Sequence, residues 1–145
     1  MLDSYRTNWV DKNVRYWNDK LDKYRDIDIY IENMFDTDWE LLARLGEFMK
    51  DREHFGICFD YAHAQVFGDE TELDRWVREL YPYVKHLHIN DNDFRQDLHL
   101  AVGDGKTDWG KFRYYYEQYF KDTSVLLEVK GIDRIQRSLD FLGSL

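Results

Sequence analysis

The sequence holds a single cysteine, Cys58, so no internal disulfide can form, and its place inside the apolar run FGICFD reads as a small buried side chain. It holds a single proline, Pro82, just past the end of a helix-patterned stretch. No cluster of lysine and arginine occurs; the formal net charge is −9, with acidic residues along the whole length. A surface for nucleic acid needs positive charge against the phosphate backbone, so no nucleic acid is expected as a partner. No stretch approaches the ~20 consecutive apolar residues of a membrane span, and the N-terminal MLDSYRTNWVDKN lacks the basic-then-apolar order of a signal peptide. A cytoplasmic protein without membrane contact is the expectation. No GxGxxG or P-loop follows any apolar run, which leaves a nucleotide-binding open sheet little support. What the chain does have is 43% hydrophobic and 17% aromatic content, which argues against disorder, and a length of 145 residues, which allows one domain, residues 1–145.

Hydrophobic periodicity alternates between two kinds along the chain. Val10, Val14, Trp17, Leu21 and Tyr24 recur at helical spacing and predict an amphipathic helix over roughly residues 8–25. In DIDIYIEN, Ile27, Ile29 and Ile31 alternate with Asp28, Tyr30 and Glu32, a strand with the isoleucines on the helix-packing face and Glu32 on the other. Thr37 and Glu40 predict a capping box for a helix carrying Leu41, Leu42, Leu45, Phe48 and Met49. FGICFD is the second strand, and a helix from about Glu70 to Leu80 buries Leu73, Trp76, Val77 and Leu80. VKHLHIN is the third strand, followed by a polar loop from Asp91 to Thr107 and a helix of Trp109, Phe112, Tyr115, Tyr116 and Tyr119. SVLLEVK is the fourth strand, and Ile132, Ile135, Leu139 and Leu142 mark a last helix. The order α(βα)₄ implies an α/β fold with four parallel strands and right-handed crossovers.

Glu32, Asp60, His88 and Glu128 each close one of the four strand-like runs. Parallel barrel strands deliver their C-terminal ends to one rim, so residues far apart in sequence can converge there. Three carboxylates and one imidazole form a hard, oxygen-rich set suited to Mn²⁺, Mg²⁺ or Co²⁺, and adding His63 and His99 brings in Zn²⁺. For a sugar, such an ion would bind a carbonyl and an adjacent hydroxyl oxygen and favour the enediolate formed when the neighbouring carbon loses its proton, with Glu32 and Glu128 as acid and base. His63 would contact a substrate oxygen, and Arg95 in the rim loop an anionic or hydroxyl group. Taken singly, a strand-end carboxylate is more often a loop charge or a helix cap. His86 shares the parity of His88 but reads as a structural hydrogen-bonder. Gly103-Asp104-Gly105 reads as a turn before the next helix rather than a phosphate cradle, and the run Tyr114, Tyr115, Tyr116 as helix packing or the cap of an interface.

The segments IYIENMFD, GICFDYAHA, HLHINDND, DLHLAVGDGKTDW and VLLEVKG, in this order, resemble the xylose isomerase-like TIM-barrel superfamily. That superfamily contains sugar-phosphate isomerases and epimerases and the endonuclease IV type of AP endonuclease. The resemblance runs over nearly the whole chain from Ile27 onward and implies the C-terminal half of a (β/α)₈ barrel. It implies metal ligation by Glu32, Asp60, His88 and Glu128. Through the endonuclease IV branch it singles out His63, Asp97 and His99, which together with Arg95 are assigned to substrate binding. The two further histidines that this branch supplies from earlier strands have no counterpart here. Four strands cannot close a barrel, so a homodimer of halves or a separate N-terminal half is the expected partner. The implied function is a divalent-metal-dependent isomerase or epimerase of a small-molecule sugar or sugar phosphate. An endonuclease IV-like phosphodiesterase and a non-catalytic remnant are the alternatives.

Overall fold

The computed structural model describes residues 2–145. Helix α1 (Leu2–Lys23) leads into β1 (Ile29–Glu32), α2 (Glu40–Met49), β2 (Phe55–Asp60) and the single turn α3 (Tyr61–His63), which widens into a π-helical stretch at Ala64–Asp69 that kinks at the non-helical Gly68. A 3₁₀ turn at Glu70–Glu72 opens α4 (Leu73–Leu80), and another at Tyr81–Tyr83 holds Pro82 and passes the chain to β3 (Val84–Ile89). Beyond the long loop lie α5 (Trp109–Tyr115), continued by π-helical Tyr116–Phe120, then β4 (Ser124–Leu127) and α6 (Ile132–Ser144). The four strands make one parallel sheet in the order β1-β2-β3-β4, the architecture of a partial TIM barrel.

Register decides which side chains meet. Glu32 pairs with Cys58, Cys58 with His86 after a register shift at Ile57/Cys58, and Asp60 with His88. Because side chains alternate along a strand, one face of the sheet carries Tyr30, Glu32, Cys58, Asp60, His86, His88 and Leu126. The opposite face carries Ile57, Phe59, Leu87 and Ile89, which pack with Trp76, Val77, Leu80, Phe112, Tyr115 and Phe120 into the main core. Phe59 sits at its centre, 6.4 Å from the stacked ring of Trp76 and 6.2 Å from Phe120. A smaller cluster of Leu21, Leu45, Met49 and Phe55, with Trp9, Val14, Trp17 and Ile29 against it, holds α1 and α2 over β1.

Several element ends differ from the sequence expectation, each for a local reason. Helix α1 covers Leu2–Lys23 rather than 8–25, and Arg6 in its added turns pairs with Asp38 and Glu40 at the start of α2. Thr37 and Glu40 form no capping box; Asp38 Oδ1 accepts from the Glu40 N–H at 3.0 Å instead. Ile27 precedes β1 and is 55% exposed, because pairing with β2 begins at Ile29 and Phe55. Phe48 is exposed as well. Strand β4 ends at Leu127 instead of running to Lys130. Helix α6 keeps only Leu142 of its expected stripe: Ile132, Ile135 and Leu139 are exposed, while Phe141 joins Leu142 on the core and Ser138 is fully buried. The Ser138 hydroxyl donates to Arg134 O at 2.6 Å and accepts from the Val102 N–H at 2.9 Å, so α6 docks on the long loop through hydrogen bonds. In the tyrosine run, Tyr115 is buried and Tyr114 exposed, as helix packing requires.

Candidate metal centre

The strand ends are tied together before any ion is considered. Asn33, next after Glu32, clamps β2 from both sides: its Nδ2 donates to Asp60 O at 2.9 Å and its Oδ1 accepts from the Asp60 N–H at 2.8 Å. Asp60 is fully buried; its Oδ1 accepts from the His63 N–H at 2.7 Å and caps α3. Glu128 follows β4 directly, and its N–H donates to Ile89 O at 2.9 Å.

These ties bring Glu32, Asp60, His88 and Glu128 together. His88 Nδ1 lies 3.3 Å from Glu32 Oε1, 3.2 Å from Glu128 Oε2 and 4.0 Å from Asp60 Oδ2. One ligand atom from each of the four lies within 4.8 Å of all the others. Asp60 Oδ2, His88 Nδ1 and Glu128 Oε2 are buried and make no hydrogen bond: the separations are those of ion pairs, the directions are not those of hydrogen bonds. Buried polar atoms without partners are costly, and three of them converging beside a further carboxylate fit a divalent cation. In the metal-free protein, protons stand in for it. The neighbouring imidazoles of His63 and His88 hold the Glu32 carboxyl down at about 2. The neighbouring Cys58, then Glu32, raises His88 to about 10. Burial pushes Asp60 up to about 7 against the pull of His63. Burial alone would lower His63, yet Glu32, Asp60 and Asp97 outweigh it and raise it to about 9.

A second cluster lies beside the first. His63 Nδ1 faces Asn33 O at 3.0 Å and His99 Nδ1 faces Glu128 O at 2.9 Å, so each Nδ1 carries the proton that these carbonyls accept. That turns both Nε2 atoms toward one carboxylate, Asp97 Oδ2, at 3.5 Å and 3.1 Å. Acceptors facing each other need a cation between them, a proton or a metal. His63, Asp97 and His99 also meet the same 4.8 Å limit as a ligand group. Arg95 stands apart: it is exposed on the rim loop, and among the described residues its guanidinium makes no hydrogen bond or ion pair.

The loop that delivers Asp97 and His99 is organised by Asp91, a residue whose role sequence reading missed. Its Oδ1 accepts from the N–H groups of Asn92 at 2.9 Å and Thr107 at 3.1 Å; its Oδ2 accepts from Gly103 N–H at 2.9 Å and Trp109 Nε1 at 2.8 Å. Gly103 has φ +92°, and a Cβ on Gly105 would sit 2.3 Å from Asp91 Oδ1. Gly103-Asp104-Gly105 is therefore a turn wrapped on Asp91, with the Gly103 N–H already engaged. The available sequence signal was an aspartate directly after a strand, followed by glycines before a helix.

Comparison with known proteins agrees with this frame. "Probable endonuclease 4" of Mycoplasmoides gallisepticum is 23% identical over 145 aligned residues, covering 88% of this chain and 48% of that protein. A crystal structure of a D-tagatose 3-epimerase-like protein superposes with a TM-score of 0.76 at 24% identity over 93% of this chain and 53% of its own, a likeness of fold. The TTHB071 protein from Thermus thermophilus, soaked with ZnCl2, superposes at 0.61 with 32% identity over 78% of this chain and 42% of its own. The chain thus spans about half the length of each of these three proteins. No described helix is long and apolar enough to cross a membrane. The profile of one family covers residues 4–145, taking in every strand and both clusters, and the chain belongs to that family, the xylose isomerase-like TIM barrels.

Proposed function

We propose that Glu32, Asp60, His88 and Glu128 hold a divalent ion, Mn²⁺, Mg²⁺ or Co²⁺, and that the protein isomerises or epimerises a sugar or sugar phosphate. The observation that carries this reading is the set of partnerless buried atoms, Asp60 Oδ2, His88 Nδ1 and Glu128 Oε2, gathered beside Glu32. The ion, when bound, supplies Lewis-acid polarisation of a carbonyl oxygen. Glu32 and Glu128, at the two outer strands of the arc, take the proton from the carbon next to that carbonyl, giving an enediolate, and return it. His63 donates to a substrate oxygen, and Asp97, His99 and Arg95 on the rim bind hydroxyl or phosphate groups. A second (βα)₄ half, from another copy of the chain or a separate chain, completes the barrel. The test is solvent exchange: with Mn²⁺ and a panel of ketoses and their phosphates in D₂O, deuterium enters the carbon beside the carbonyl. No exchange with any of them, at stoichiometric metal, removes the reading.

The grouping of His63, Asp97 and His99 favours a second reading, an endonuclease IV-like phosphodiesterase using Zn²⁺. The net charge of −9 works against a DNA partner. Cleavage of an abasic duplex by the zinc-loaded chain separates the two activities. A chain that takes up no metal at all would instead be a non-catalytic remnant.

A further inference from the structure

One register pair below Asp60 and His88, the inner face of the sheet carries Cys58 and His86, where barrels of this kind are ordinarily filled by branched apolar side chains. Cys58 and His86 are direct register partners on β2 and β3, and His86 and His88 share a face of β3 with ring centroids 5.1 Å apart and planes at 85°. The Cys58 sulfur and one ring nitrogen from each histidine lie within 4.8 Å of one another. His86 is also held from outside the group. Its Nδ1 lies 2.7 Å from Ser124 Oγ, and that hydroxyl lies 3.4 Å from Lys85 O. With the hydroxyl hydrogen given to Lys85 O, Ser124 accepts from His86 Nδ1–H and leaves Nε2 as the nitrogen with a free lone pair. A fixed partner on the other ring nitrogen is how metal-ligating histidines are oriented.

We propose that Cys58, His86 and His88 form a second, thiophilic metal site that takes Zn²⁺ or Cd²⁺ in preference to the hard ions suited to the carboxylates above it. One sulfur and two imidazoles are a soft-to-borderline donor set, and three protein ligands leave a fourth tetrahedral position for water. Loading exchanges the Cys58 S–H bond and one His88 N–H bond for bonds to the metal and releases both protons to solvent. His88 belongs to both donor sets, so the two ions are coupled, and filling the lower site weakens Mn²⁺ binding at the upper one.

The test is a Cd²⁺ titration of the full chain, followed by the ultraviolet thiolate-to-metal charge-transfer band. The expected result is one equivalent of band-forming Cd²⁺. Cys58→Ser abolishes the band, and His86→Gln and Ser124→Ala each weaken binding about tenfold or more. Glu128→Gln, which removes an upper ligand only, keeps the band even if no sugar activity is ever found. Circular dichroism on each variant separates loss of the site from loss of the fold. A wild-type chain that binds Cd²⁺ without the band, or a band unchanged in folded His86→Gln, overturns the site.

Discussion

In the metal-free protein His63 and His88 carry the positive charge that an ion would otherwise supply, and this gives the centre a defined pH response. Both are raised above their ordinary 6.5, to about 9 and about 10. Their contribution to stability is therefore complete below pH ~6.5 and is lost as the pH rises through those values. Asp60, raised to about 7, acts in the same direction: its contribution as a neutral acid is present below its ordinary 3.8 and is lost as the pH rises through 7. Glu32, held at about 2, does the opposite, stabilising above its ordinary 4.5 and losing that as the pH falls toward 2. Thermal melts in chelator are expected to show falling stability from neutral pH to about 10, and saturating Mn²⁺ should flatten that slope. Mn²⁺ must displace these protons, so its affinity should rise with pH over the same range, with calorimetry in buffers of different ionisation enthalpy registering proton release. A pH-independent affinity would mean that His88 is not a ligand. At the same scale, Glu32→Gln and Glu128→Gln are each expected to abolish turnover and leave the far-ultraviolet circular dichroism unchanged; normal rates in both would take them out of the mechanism. The convergence of Glu32, Asp60, His88 and Glu128 was legible because parallel strands end at one rim. Asn33 was not, since its part rests on bonds to a residue 27 positions away that no local pattern encodes.

Among the elements, the helix and strand cores followed from periodicity and the ends did not. The FGICFD strand and the Leu73, Trp76, Val77, Leu80 stripe lie where their patterns put them, because burial on a fixed face is what the pattern records. Helix α6 departs because a serine is its most buried residue: the hydrogen bonds of Ser138 to the long loop override an aliphatic stripe that a hydrophobicity count ranks higher. Two variants probe this level. Trp76→Ala should cost about 3–5 kcal/mol, since its ring fills the space beside Phe59 and leaves a cavity when removed, read by urea unfolding. Asp91→Ala leaves four N–H donors without their acceptor, each such loss costing about 1–3 kcal/mol and not adding in full. That variant should melt well below the parent and be cleaved by protease within the loop, which would also dissolve the His63, Asp97, His99 grouping. Protease resistance equal to that of the parent would show that the loop does not depend on Asp91.

For the molecule as a whole, β1 and β4 each have one neighbour, and Val125 and Leu126 of β4 are exposed together with Ile132, Ile135 and Leu139 of α6. Strand edges and apolar surface of this kind invite pairing. Native mass spectrometry, which reads subunit number and metal mass together, is expected to give an assembly of two halves with stoichiometric metal; a metal-free monomer would rule out a reassembled barrel. The parallel half-barrel was legible from strand-helix alternation; the partner of its edges was not, because an edge strand carries the same alternation whether or not a further strand pairs with it.

The order of the strands also sets the order in which the rim comes apart. Asp60 and His88 stand on β2 and β3, which are flanked on both sides, while Glu32 and Glu128 stand at the ends of β1 and β4, which are not. In the unassembled chain, amide hydrogen exchange should accordingly be slowest near Phe59 and Leu87 and fastest near Ile29 and Val125. An ion across the four side chains would act as a staple between the margins of the sheet, slowing exchange at the outer strands far more than at the inner pair. Chelation would then free the two glutamates first and leave the aspartate and histidine in place, ready to capture the next ion.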